Sequence, residues 1–312
     1  ETAAISEAVL AHELVHALQV GHVDPGSYDR STTDRDAAVR GLIEGDARLI
    51  DQRYGERCAT NWSCVSPPRS LGAAGGRDFR FSVYTLIYFP YSDGPVFVER
   101  IYRRGGWEAV NAVYRAPPES GEQVIDPASY GNDSPTDVAL PDRSGPGWSP
   151  VERPGRGPAD TLGQPAVAAM FMHPAFGGRD GVVVSTREFL RTVEGGRLPS
   201  VDPFDYGFDY ADGWDGDALR VYRNDDGELG YVWRLVWDSP AEAREFAEGY
   251  RELLVHWGGE RVDGRPGVWR IPEGESAFAD AFYVRVDRAT VTVVNAPTVG
   301  ELPTVHGDVP GA

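Results

Sequence analysis

Two kinds of hydrophobic spacing divide the chain. Up to about residue 115 apolar residues return every three or four positions, the repeat of a helix face, whereas beyond residue 218 they fall in short alternating runs bounded by turn residues, the repeat of strands. Ala3 to Val20 contains no Gly or Pro; Leu10, Leu14, Ala17 and Leu18 share one side, and Ile5, Val9 and Gln19 share another with His12 and His16. This predicts one helix that is apolar on nearly all sides and therefore buried. A turn through His22-Val23-Asp24-Pro25-Gly26-Ser27 follows. Thr33 and Asp36 then resemble a capping box. Val39, Leu42, Ile43, Ala47 and Ile50 predict a second helix over Asp36 to Tyr54. Further helices are predicted over Phe79–Tyr88, Gly94–Tyr102 and Trp107–Tyr114, their aromatic rings packing against the first pair.

From Pro117 to Pro165 the composition shifts to Pro, Gly, Ser and Asp, which predicts a long surface connection. Ala166–Met172 reads as a short helix. Leu219–Arg223 and Gly230–Trp237, joined by Asn224-Asp225-Asp226-Gly227, read as a hairpin. Asp238-Ser239 starts an amphipathic helix over Pro240–Trp257, and Ala281–Val286 with Thr290–Asn295 make a second hairpin. Strand, strand, helix, strand, strand is the order of an antiparallel sheet covered on one face. The fold class expected is therefore α+β, with a helical part over residues 1–130, a connection over 131–165 and a small antiparallel-sheet α+β domain over 166–312. Gly213-Trp214-Asp215-Gly216-Asp217 reads as an acidic loop rather than a calcium site, because its spacing is not that of an EF-hand. There is no phosphate loop, dinucleotide fingerprint or internal repeat.

The chemistry concentrates in the first helix. His12-Glu13-Leu14-Val15-His16 sets two imidazoles four residues apart, on one helix face, with a carboxylate about 100° round from the first. Two neutral nitrogen ligands and a general base that is not itself a ligand are what a zinc hydrolase needs. A third protein ligand is required, and the residues leave Glu44, Asp46 and His22 open. Glu44 has the longer reach on a helix that can pack antiparallel to the first. Gly45 beside it would let the two backbones approach. Asp46 could instead orient a histidine from behind. A Tyr among Tyr84, Tyr88 and Tyr91 could stabilise an oxyanion.

Net charge narrows the partners. At −18, with a pI near 4.7 and every basic residue an arginine, the surface repels nucleic acid and anionic membranes and suits a high-salt, halophilic setting. The most apolar later run, Phe79 to Val98, carries Arg80, Pro90 and Asp93, so no membrane span is expected in this chain. The two cysteines, Cys58 and Cys64, are expected to form a local disulfide, and Asn61-Trp62-Ser63 and Asn132-Asp133-Ser134 are glycosylation sequons. Both features point to an extracytoplasmic or secreted protein. Oligomeric state is not legible.

His-Glu-x-x-His on one helix followed by Glu44-Gly45-Asp46-Ala47 on a second resembles the gluzincin superfamily of zinc metallopeptidases, whose aminopeptidases carry a similar Glu-Gly-x-Ala string. The resemblance covers about 55 residues. It implies a zincin-like helical part, zinc held by His12, His16 and Glu44, Glu13 as the catalytic base, and a peptide or protein as substrate. It departs at Arg48, where thermolysin-like members place a carboxylate that supports a histidine. The chain is also similar to prokaryotic proteins with Ala-Leu-Gln after the motif and a later Gly-Gly-Trp, Pro-Pro and Glu-Gln, here Gly105-Gly106-Trp107, Pro117-Pro118 and Glu122-Gln123. Zinc peptidases place a sheet before this helix, so the chain is expected to begin inside a longer precursor. The competing expectation is a non-catalytic scaffold or binding protein that retains the zinc site.

Overall fold

The computed structural model describes residues 6–65, 81–176, 183–192, 203–275 and 278–310. Ala3 and Ile5 of the expected first helix, and Phe79 and Arg80 of the third, lie outside the described residues. The architecture is α+β, in two compact units. The first takes Glu1–Arg30, Arg35–Asp133 and Leu190–Asp205; the second takes Ser31–Asp34, Ser134–Phe189 and Tyr206–Ala312.

The first unit is helical. Helix α1 (Glu7–His22) starts at Ser6, whose hydroxyl accepts from the Ala8 amide, and α2 (Thr33–Thr60) runs longer at both ends than its apolar repeat predicts. Thr33 and Asp36 do not form the expected capping box. Thr33 donates its amide and hydroxyl to Asp160, and Asp36 pairs with Arg30 and Arg40. The two helices run antiparallel: Tyr54 Oη donates to Glu7, His12 faces Asp51 and Glu44, and Gln19 reaches Ile43.

Helix α1 is not the buried helix that its composition predicts. Only Gln19 is buried, while Leu10, Leu14 and Leu18 are 50%, 57% and 61% exposed. It docks on α2 through polar groups and leaves its leucine side outward. Helix α3 (Phe81–Ser92) and helix α4 (Gly94–Val113) follow, with α4 broken at Gly105 and Gly106, where φ of Gly106 is 64°. That break separates the two helices expected over this stretch. Arg53 of α2 stacks on Tyr102 and Trp107 of α4. Gly45 serves this second contact rather than the first. A Cβ there would lie 2.3 Å from the Gly94 carbonyl carbon, so the glycine admits α4 and not α1. Helix α5 (Gly121–Ile125) closes the unit, capped by Ser120 and bearing buried Gln123. Cys58 and Cys64 are joined as a disulfide.

The second unit is a seven-stranded antiparallel sheet in the order β1-β2-β3-β7-β6-β5-β4. Its strands are β1 (Trp148–Pro150), β2 (Trp214–Asn224), β3 (Leu229–Trp237), β4 (Glu260–Arg261), β5 (Val268–Ile271), β6 (Asp280–Asp287) and β7 (Thr290–Ala296). Helices α6 (Gln164–Met172) and α7 (Thr186–Phe189) precede β2. Both hairpins fall where the alternation predicts them. Helix α8 (Pro240–His256) carries a full capping box, with Ser239 and Glu242 each satisfying the other's backbone amide. Phe246 of α8 packs on Trp233 and Trp237, and Tyr250 Oη meets Tyr231 Oη at 2.9 Å.

The sheet is covered on both faces, not one. Tyr222, Val232, Tyr283 and Val294 form a core with Leu140, Trp148 and residues of the last helix, α9 (Leu302–Val305). Residues expected to form a surface connection thus supply an edge strand and two buried side chains, Leu140 and Trp148. Their Pro and Gly content ruled out long regular elements but not packing.

Candidate metal centre

The antiparallel pairing of α1 and α2 brings three ligand atoms to one point. His12 Nε2 lies 3.1 Å from His16 Nε2, and Glu44 Oε2 lies 3.4 Å from the first and 3.3 Å from the second. A tetrahedral ion with bonds of about 2.0–2.1 Å needs ligands about 3.3–3.4 Å apart. The three atoms fit that edge.

The protonation of the imidazoles follows from what stands behind them. Gln19 Nε2 donates to the Ile43 carbonyl (3.0 Å) and to Tyr114 Oη (2.8 Å), so its amide oxygen is the atom that faces His16 Nδ1 at 2.8 Å. An amide oxygen only accepts, which places the His16 proton on Nδ1 and a lone pair on Nε2. His12 Nδ1 lies 3.4 Å from the Asp51 carboxylate without a hydrogen bond to it, and the 3.1 Å contact of His12 Nε2 with His16 Nε2 takes its direction from the His12 tautomer. Glu44 Oε2 is buried and receives no hydrogen bond. With the His12 proton on Nδ1, on the side of Asp51, three electron pairs converge on one point. A single proton would relieve one edge of this triangle, whereas a divalent cation relieves all three.

Asp46 stands outside this cluster. Its Oδ2 accepts from Tyr114 (2.7 Å) and Gln19 (3.4 Å), so it supports His16 only through Gln19. Burial pushes the Asp46 carboxyl up, and those two hydrogen bonds hold it back. Burial and then the Asp46 charge push the Tyr114 phenol far above its ordinary value. His22 ends α1, exposed, its Nδ1 against the Leu18 carbonyl, away from the cluster. The carboxylate nearest to His12 Nδ1, at 3.4 Å, is Asp51, which Arg48 holds at 2.9 Å. Asp51 went unread in the sequence, although seven residues after Glu44 is two helical turns and hence the same face. Tyr91 separates from its neighbours: its ring stacks 6.5 Å from that of His12. Burial first, then the Glu44 carboxylate to which it hydrogen-bonds, and more weakly Glu13, push its phenol up. Tyr84 and Tyr88 stack on each other and pack on Phe204. Glu13 is exposed beside this site.

Comparison with known families adds one match, to the family described as Domain of unknown function (DUF8575), over residues 151–306, half of the 312. The chain belongs to the DUF8575 family. No curated protein and no solved structure matches it. The DUF8575 segment takes in α6 to α9 and β2 to β7, and begins after His12, His16 and Glu44, which lie outside it.

Within the DUF8575 segment the stretch expected to be an acidic loop is the start of β2. Asp217 is fully buried and accepts from the Leu162 and Gly163 amides (both 2.9 Å) and from the Trp214 and Trp233 indole nitrogens (both 3.1 Å). Burial pushes its carboxyl up to about 6 against these four donors. With its lone pairs taken up, Asp217 is a structural tie and not a cation ligand.

Proposed function

We propose that the chain is a gluzincin-like zinc peptidase, with His12, His16 and Glu44 holding the metal. The observation that carries this reading is the convergence of Nε2, Nε2 and Oε2 at the edge length of a tetrahedral ion. When bound, zinc supplies Lewis-acid polarisation of a carbonyl and lowers the pKa of a water. Glu13, one position past His12 and open to solvent, accepts the proton of the attacking water and returns it to the leaving nitrogen. Tyr91, beside Glu44 and stacked on His12, donates to the oxyanion as the carbonyl becomes tetrahedral. Gln19 and Asp51 hold the two imidazoles in the tautomer that points a lone pair at the site. The disulfide and the sequon between its cysteines support work outside the cytoplasm. Among the described residues no helix is long and apolar enough to cross a membrane.

A peptide-library digest tests the reading. Zinc-loaded protein is expected to cleave and to stop on adding a chelator. Glu13→Gln is expected to keep its zinc and lose cleavage by at least about a hundredfold, because an amide cannot accept the proton. No cleavage by the parent would leave the non-catalytic zinc-site protein as the better account.

A further inference from the structure

A second site candidate lies wholly within the sheet unit, where, among the described residues, a cluster of arginines is left without carboxylate partners. The turn between β4 and β5 and the last turns of α8 enclose a concavity of about 440 Å³. It is lined by Arg251, Arg261 and Arg265, with Asp263 as its one carboxylate and Trp269 as its floor. Three guanidiniums around one cavity stand out in a chain whose net charge is −18.

Their partners matter more than their number. Among the described residues neither Arg251 nor Arg261 has a carboxylate within ion-pair distance. Arg261 instead stacks over Trp269, 5.2 Å from the ring centroid. Arg265 donates to two carbonyls, those of Val299 and Pro310, which fix its position without cancelling its charge. Burial, followed by the like charge of Arg261, lowers the Arg251 pKa, and Glu248 opposes this without coming within ion-pair distance. The turn keeps its backbone bare at Gly267, where φ is 78° and a Cβ would lie 2.9 Å from the Val284 carbonyl oxygen.

A second concavity, of about 310 Å³ on the sheet face, supplies the contrast. It is also lined by two arginines, but Arg234 lies 3.6 Å from Asp308 and Arg285 3.1 Å from Asp287. Its positive charge is already answered.

We propose that Arg251, Arg261 and Arg265 form a binding site for a small, multiply charged oxyanion, a phosphate ester or a di- or tricarboxylate. Guanidinium forks match such oxygens in pairs, and the volume lies in the range of small-molecule sites. A nucleic-acid polymer is excluded by the charge of the rest of the surface, which a small anion escapes beyond a Debye length of about 8–10 Å.

Calorimetric titration of the full chain with inorganic phosphate and, separately, with citrate tests this at low ionic strength. At least one anion is expected to bind one to one with Kd below about 1 mM, equally with and without zinc. The better binder tells a phosphate site from a carboxylate site. Arg251→Gln and Arg261→Gln are each expected to weaken it about tenfold, with unchanged circular dichroism, while Arg285→Gln leaves it within about twofold. The proposal is overturned by absence of binding to either anion, by binding that requires zinc, by a loss below about threefold in either arginine variant, or by an equal loss in Arg285→Gln.

Discussion

The helical unit and the sheet unit treat buried polar atoms in opposite ways. In the sheet unit Asp217 is enclosed by four donors, and α8 and α9 close apolar surface on both faces. In the helical unit His12, His16 and Glu44 bring three metal-ligating atoms to one point while three leucines of the first helix stay exposed. A saturated polar group stabilises a fold and has nothing left to offer a ligand. An unsaturated cluster costs stability until something binds it, which is where chemistry is to be sought.

The contrast can be broken first at its saturated end. Asp217→Asn turns an amide toward indole and backbone N–H groups and leaves buried donors unmet, at about 1–3 kcal/mol each. We expect a loss of about 3 kcal/mol, read as a fall in Tm of about 10 °C, with zinc affinity unchanged. A variant that melts like the parent would mean that the four donors are not what keeps Asp217 buried. Gln19→Ala acts on the other side of the comparison. It frees His16 Nδ1 and is expected to weaken zinc binding by about 10–100-fold, measured against a chromophoric chelator, while the far-ultraviolet circular dichroism is kept. Unaltered zinc affinity would separate tautomer control from metal binding. The smallest effect is expected at His22. His22→Ala removes only a contact to the Leu18 carbonyl and should leave zinc affinity within about twofold; a large loss would put His22, not Glu44, third in the ligand set.

Much of the sheet unit was legible because alternation and turn chemistry are local. Asn224-Asp225-Asp226-Gly227 marks its hairpin, and Ser239 with Glu242 marks the start of α8. Edge strands as short as β4 carry too few residues to show a period, and Trp148 lay among prolines and glycines that concealed its strand. In the helical unit the four-residue spacing of His12 and His16 survives into the structure, as does the antiparallel approach of Glu44. What failed there was long-range. Apolarity says that α1 can be covered, not that anything covers it. Gly45 announces a close approach without saying whose. Asp51 and Tyr91 act across helices, so no local pattern pairs them with His12.

The central claim is that the convergence of His12, His16 and Glu44 is a zinc site, and metal content measures it most directly. After dialysis against trace zinc, elemental analysis of the parent should give about one zinc per chain. His12→Ala, His16→Ala and Glu44→Ala should each fall close to zero, because two remaining ligands hold zinc weakly. A parent without zinc, or stoichiometric zinc retained in Glu44→Ala, would contradict the account.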